Sequence, residues 1–136
     1  GDYTSWIDQD EVVAQPVLEA VRSLMREINR QLYLGLRDFE IHYAIYPPHT
    51  LYRKHVDRHA SGSHRILSFV FYLNETWKDE DGGQLRIWQP DGSHIDILPC
   101  SGRLVLFNSD RLHEVLETKK QRLSITGWML NEERFW

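Results

Sequence analysis

The sequence is poor in several features that would place a function early. It holds one cysteine, Cys100, so no intrachain disulfide can form, and a reducing, cytoplasmic setting fits better than secretion. No apolar run approaches the length of a membrane span and no signal peptide opens the chain, so no membrane partner is expected. Positive charge is not in excess: Lys and Arg number 16 against 20 Asp and Glu, a net charge of −4. A chain that binds nucleic acid through its overall field should be basic, so no nucleic-acid partner is expected either. No repeat, low-complexity tract or Pro/Ser linker divides the chain. Its 136 residues, 41% of them apolar, suit one folded domain spanning 1–136. Aromatic residues are plentiful, with five Trp, six Tyr and five Phe beside seven His. That mixture suits a lined pocket as well as a β-rich core.

One segment has helical periodicity. From Pro16 to Leu34 the apolar residues Val17, Leu18, Val21, Leu24, Met25, Ile28 and Leu32 fall on one stripe. Pro16 suits the first turn and Gly35 the stop. The opposite face carries Glu19, Arg22, Arg26, Glu27 and Arg30, which predicts a helix packed on a sheet. Before it, Gly1-Asp2-Tyr3 shows neither a cap nor a clear strand and reads as loop. After Gly35 the pattern turns to strands. Phe39, Ile41, Tyr43 and Ile45 alternate with polar or small neighbours, and His42 falls on the face opposite to theirs. Seven more short strands follow: 51–57, 65–73, 84–88, 94–98, 103–107, 113–117 and 122–130. Turn signals such as Pro47-Pro48, Gly82-Gly83 and Ser101-Gly102 separate them. Eight short strands at this spacing predict a sandwich or barrel, best fitted by a mainly β jelly roll behind a leading helix.

His55-Val56-Asp57 is the first candidate for chemistry. Residues i and i+2 of a strand share a face, so one imidazole and one carboxylate can aim at a common point. Two ligands do not make a metal site, and His113, which begins a strand, is the natural third. Two His and one carboxylate form the facial triad that leaves adjacent positions open on Fe(II). The zinc-like four-residue spacing of His55 and His59 requires a helix, and this segment does not read as one. Reading Thr118–Gln121 as a hairpin loop, with Glu117 opposite Arg122, places His113 opposite Thr126. One face then holds His113, Val115, Arg122, Ser124, Thr126 and Trp128, while Leu123 and Ile125 face away. Arg122 on an inward face needs a partner, because its charge cannot be removed by deprotonation. Four residues of strand, roughly 13 Å, separate it from the level of His113. A small dicarboxylate held by the metal at one end and the guanidinium at the other would fill that gap. An ion pair with a neighbouring Asp or Glu, or an Arg reaching solvent, are the alternatives. On the strand before, Ile66, Ser68, Val70 and Tyr72 share one face, and Leu67, Phe69 and Phe71 share the other.

These residues resemble the Fe(II)- and 2-oxoglutarate-dependent dioxygenases, and among them the prolyl hydroxylases of the hypoxia-inducible-factor type and their bacterial relatives. The carriers are Tyr46-Pro47, Tyr52 to Asp57, Phe71-Tyr72-Leu73-Asn74 with Trp77, Gly82 to Ile87, Phe107 to Asp110, His113-Glu114-Val115, and Arg122 through Trp128. The resemblance implies His55, Asp57 and His113 as iron ligands. It implies Arg122 and Tyr72 on the far carboxylate of 2-oxoglutarate, with Tyr46, Leu85 and Thr126 lining that pocket. Tyr52, Arg65, Trp128, Trp6 and Asp2 match positions near the polypeptide substrate or its covering loop. The opening residues resemble the end of the family's mobile loop, so an N-terminal part of the family fold is expected to be missing here.

The activity so implied is hydroxylation of a prolyl residue in an intracellular protein. Dioxygen and 2-oxoglutarate are consumed, succinate and carbon dioxide are the co-products, and ascorbate serves as reductant. A translation factor such as elongation factor Tu is the partner this resemblance suggests. Three other readings compete. They are a hydroxylase of a small molecule such as a free amino acid, a nucleic-acid demethylase on the same scaffold, and a non-catalytic jelly-roll binding module. The acidic net charge weighs against the demethylase, and the intact triad with Arg122 weighs against the binding module.

Overall fold

The computed structural model describes residues 3–58 and 64–133. In chain order it contains β1 (Tyr3–Trp6), α1 (Gln15–Leu32), β2 (Asp38–Tyr46), β3 (Tyr52–His55) and β4 (Arg65–Tyr72). A single 3-10 turn at Asp79–Asp81 follows, then β5 (Leu85–Trp88), β6 (His94–Ile97), β7 (Leu104–Asn108), β8 (His113–Val115) and β9 (Arg122–Leu130). Two antiparallel sheets result, one in the order β1-β2-β9-β4-β7 and one in the order β3-β8-β5-β6. The architecture is a mainly β jelly roll with one supporting helix.

The helix forms where the apolar stripe predicts it. Leu18, Val21 and Met25 are buried, and Val17, Leu24 and Ile28 pack partly around them. Its end departs from expectation. Tyr33 takes the left-handed conformation (φ 52°, ψ 41°) and donates its N–H to the Asn29 carbonyl, two residues before Gly35. The Asn29 side chain explains the early stop, because it both donates to the Leu36 carbonyl and accepts from the Leu36 N–H at 2.8 Å. That clamp turns the chain back onto the sheet and leaves Leu32 exposed.

Period-2 alternation divides the larger sheet into two working faces. Phe39, Ile41, Leu67, Phe69, Ile125 and Met129 face α1 and form one core with it. The other face looks across at the smaller sheet, where Ala44, Tyr46, Val70, Tyr72 and Val105 meet Leu85, Ile87 and Val115. On that inner face β9 runs between β2 and β4 in aligned rows. Glu40, Trp128 and Ser68 form one row, His42, Thr126 and Val70 the next, Ala44, Ser124 and Tyr72 a third, and Tyr46 with Arg122 the last.

Three expectations are corrected. The opening is not simply loop, because Tyr3–Trp6 pairs with β2 as an edge strand, with Trp6 opposite His42. Alternation was invisible there because all four residues are exposed. The 118–121 segment is not a hairpin loop. β8 pairs with β3 and β5 in the smaller sheet, whereas β9 lies in the larger one. The segment therefore crosses between sheets, and His113 does not pair with Thr126, whose partners are His42 and Val70. The inward face survives this change because the two strands face each other across the interior. Finally, a register shift between Arg65 and Leu67 turns Ile66 toward the helix-side core, away from the face of Ser68, Val70 and Tyr72.

Candidate functional site

A cavity of about 360 Å³ opens between the sheets. Its walls include Tyr46, Tyr52, His55, Asp57, Leu85, His113, Arg122, Thr126, Trp6 and Trp128. Tyr72 lies behind Arg122, fully buried. Arg65 stands outside the lining, with its guanidinium 3.8 Å above the Trp128 ring and its Nε 3.4 Å from Glu40. Asp2 and His59 lie outside the described residues.

β3 and β8 bring the first three candidates together. His55 is paired directly with His113 across the two strands. Asp57 follows β3, where its N–H and that of Arg58 both bond the Ser109 carbonyl. His55 Nδ1 lies 2.6 Å from the Arg53 carbonyl, and His113 Nδ1 lies 2.9 Å from the Arg111 carbonyl. A carbonyl can only accept, so each Nδ1 carries a proton, and each Nε2 is left to hold either a second proton or, in the neutral ring, a metal. Those Nε2 atoms stand 3.3 Å and 3.4 Å from Asp57 Oδ1. All three ligand atoms lie within 4.8 Å of one another.

Asp57 Oδ1 and the two Nε2 atoms converge on one point, which a proton on Nε2 or a metal cation can occupy. The donor set of two imidazoles and one carboxylate suits Fe(II). The other carboxylate oxygen is already occupied, since Ser68 Oγ donates to Asp57 Oδ2 at 2.7 Å and lies 2.9 Å from Ser109 Oγ. Burial by itself would raise the Asp57 carboxyl, but hydrogen bonding with His113, His55 and Ser68 outweighs it and holds the group well below the usual carboxylate range. Asp57 therefore stays anionic. For His55, burial works against protonation, yet Asp57 and the Arg53 carbonyl raise it above the ordinary imidazole value.

The far end of the cavity holds a different chemistry. Arg122 opens β9 and is 2% exposed. Its Nε donates to the Gly83 carbonyl at 2.8 Å and its Nη2 to Tyr72 Oη at 3.4 Å. The Tyr46 and Tyr72 rings each lie 5.1 Å from its central carbon. Among the described residues no carboxylate pairs with it, so the ion-pair alternative does not hold and the guanidinium offers its remaining N–H groups to the cavity. Burial raises the Tyr72 phenol above its usual value despite the neighbouring Arg122, so its O–H proton remains available to donate. A buried cation and a phenol at the end of a largely apolar cavity are the complement of a carboxylate. The residues present thus fit both a metal and a dicarboxylate that reaches from it to Arg122.

Sequence reasoning missed several residues here. His42 falls on the predicted face, and that face is the cavity wall, where its ring lies 5.1 Å from Trp6 and 5.4 Å from Trp128. Ser68 shared a strand face with Tyr72, a signal that was present. Ser109 carried none, because only long-range closure brings a turn serine to Ser68.

The family model for the 2OG-Fe(II) oxygenase superfamily matches residues 41–130. Among solved structures, a Pseudomonas putida prolyl-4-hydroxylase superposes with a TM-score of 0.92 at 44% identity, covering 98% of this chain and 73% of that one. A Trichoplax adhaerens prolyl hydroxylase in complex with a hypoxia-inducible-factor oxygen degradation domain peptide superposes with a TM-score of 0.84 at 28% identity, covering 96% of this chain and 63% of that one. A PKHD-type hydroxylase of Maricaulis maris is 31% identical over 80 residues. That match spans 57% of this chain but only 36% of the relative's length.

Proposed function

Because this chain belongs to the 2OG-Fe(II) oxygenase superfamily, and within it to the prolyl hydroxylase family, we propose that it hydroxylates a prolyl residue of a polypeptide. The family's metal is Fe(II) and its co-substrate is 2-oxoglutarate. One observation carries the reading. The ligand atoms of His55, Asp57 and His113 meet at one place in the cavity, and an arginine with no carboxylate partner among the described residues stands at another.

When bound, Fe(II) with 2-oxoglutarate supplies the oxidising chemistry: dioxygen is consumed, the co-substrate becomes succinate and carbon dioxide, and one oxygen atom enters a C–H bond. The chain's own residues hold and orient. His55, Asp57 and His113 hold the metal, and the Arg53 and Arg111 carbonyls fix the two imidazole tautomers. Arg122 grips the far carboxylate of 2-oxoglutarate as a fork, and Tyr72 adds its hydroxyl. Tyr46, Leu85 and Thr126 wall that site. Trp6, Trp128 and Tyr52 receive the substrate. Trp6 and Tyr52 are 53% and 40% exposed, so an apolar ring has aromatic faces to pack on at an open mouth that admits a polypeptide.

The Trichoplax neighbour was solved with a peptide, which supports a polypeptide substrate. Nothing in the site singles out elongation factor Tu, so the proposal stops at a proline-containing polypeptide. Ascorbate as reductant and a cytoplasmic location belong to the same proposal. For the location, among the described residues no helix is long and apolar enough to cross a membrane. The test compares proline-containing peptides with free proline, reading succinate and hydroxyproline by mass spectrometry. Hydroxyproline in peptide alone supports the reading. Turnover confined to the free amino acid overturns it in favour of a small-molecule hydroxylase.

A further inference from the structure

We propose that Gly82-Gly83 is the positioning element of the co-substrate site: this elbow sets the angle at which the Arg122 fork meets the far carboxylate of a 2-oxo acid. The proposal rests on the reading of Arg122 given above.

A long side chain held only at its tip can swing, and a fork that swings does not select for a planar carboxylate. The Gly83 carbonyl takes the Nε–H of Arg122 at 2.8 Å, the one N–H on the stem side of the guanidinium. That bond fixes the rotation of the guanidinium plane and turns the Nη edge toward the cavity and Tyr72.

Only glycine can present this carbonyl from this position. Gly82 sits at φ 71°, ψ −150°, a region closed to residues with a Cβ, and Gly83 at φ 69°. There is no space either. A Cβ on Gly82 would run into the Glu117 carbonyl oxygen. A Cβ on Gly83 would stand 3.2 Å from Arg122 Cδ and 3.1 Å from both the Trp77 ring and Thr118 Oγ1.

The elbow is tied on both sides. Trp77 Nε1 donates to the Gly82 carbonyl at 2.8 Å. The Gly83 N–H reaches the Glu117 carbonyl, and the Lys119 N–H reaches the Asp81 carbonyl. Lys120 Nζ bonds the Thr76 carbonyl and pairs with Asp81 at 3.1 Å. The segment that clasps the elbow, 117–120, leads directly into Arg122. Elbow and arginine are thus fixed to each other through backbone as well as through the Nε bond.

The experiment is calorimetric binding to Mn(II)-loaded protein of two acids. One is 2-oxoglutarate. The other is 2-oxobutanoate, which keeps the keto-acid head and lacks the far carboxylate. Wild type should prefer 2-oxoglutarate by on the order of a hundredfold, the worth of a charged bidentate contact. Gly83→Ala should lose about tenfold in 2-oxoglutarate affinity, while 2-oxobutanoate and Mn(II) affinities stay within about twofold. Trp77→Phe removes the indole N–H together with part of the ring that packs on Gly83 and should shift the preference in the same direction by less, so it decides the matter if Gly83→Ala does not fold. Wild-type preference in both folded variants overturns the elbow and leaves the Arg122 reading standing. Equal loss of Mn(II) and both acids shows a merely structural role and also overturns it. No preference in wild type overturns the Arg122 reading itself, and the elbow with it.

Discussion

His113 Nε2 faces Asp57 Oδ1 across 3.4 Å. Both side chains are held there by other contacts, His113 by the Arg111 carbonyl and Asp57 by Ser68. The folded state gathers these atoms with His55 Nε2 at one point, and the unfolded chain does not. Metal binding should therefore stabilise the protein. At a free metal concentration of about 100 times Kd the gain is about 2.7 kcal/mol. A thermal melt with Mn(II) should shift up, EDTA should reverse the shift, and His113→Ala should show none. An equal shift in the His113→Ala protein would contradict the assignment.

Ser68 is 1% exposed and donates to the carboxylate oxygen that faces away from the two imidazoles. Without that bond Asp57 can rotate, and its two oxygens compete for the metal position. Ser68→Ala should weaken Mn(II) binding by about 10- to 100-fold while leaving the fold intact. Ser68→Thr, which keeps the hydroxyl, should recover most of the loss. Unchanged metal affinity in Ser68→Ala would show that the hydroxyl only fills space.

Arg122→Lys keeps the charge and loses the fork. Lysine is a point charge and cannot supply the Nε bond to Gly83 together with a bidentate contact. The affinity for 2-oxoglutarate should fall by at least about tenfold, with metal affinity unchanged. Titration calorimetry on Mn(II)-loaded protein reads both, and undiminished 2-oxoglutarate binding would remove Arg122 from the site.

The Asp57 carboxyl is depressed in the folded, metal-free protein. A depressed group contributes stability that is complete above the ordinary carboxylate value of about 3.9 and is lost as pH falls through that range toward the folded value. The urea midpoint of metal-free wild type should therefore decline below about pH 5 more steeply than that of Asp57→Asn. Matching slopes would mean that Asp57 does not carry the acid sensitivity.

Much of this was legible because it is local. The stripe from Val17 to Ile28, the period-2 strands and the His55-Val56-Asp57 spacing each express one element's geometry. The inward set of His113, Arg122, Ser124 and Thr126 was also legible, though through the wrong register. Alternation says which residues share a face but not which sheet a strand joins. The 118–121 crossing, the Ser68–Ser109 contact and the meeting of Gly83 with Arg122 are long-range closures and leave no periodic trace. Tyr33 ends the helix before Gly35 because Asn29, seven residues before Leu36, clamps that leucine with its side chain, a local contact that periodicity does not report.

The most direct test of the central claim is an anaerobic titration with Fe(II) and 2-oxoglutarate, followed by visible absorption. The account predicts a metal-to-ligand charge-transfer band that grows to saturation in wild type and is absent in His113→Ala. A folded, iron-loaded wild type without the band, or a His113→Ala protein that keeps it at full strength, would contradict the account.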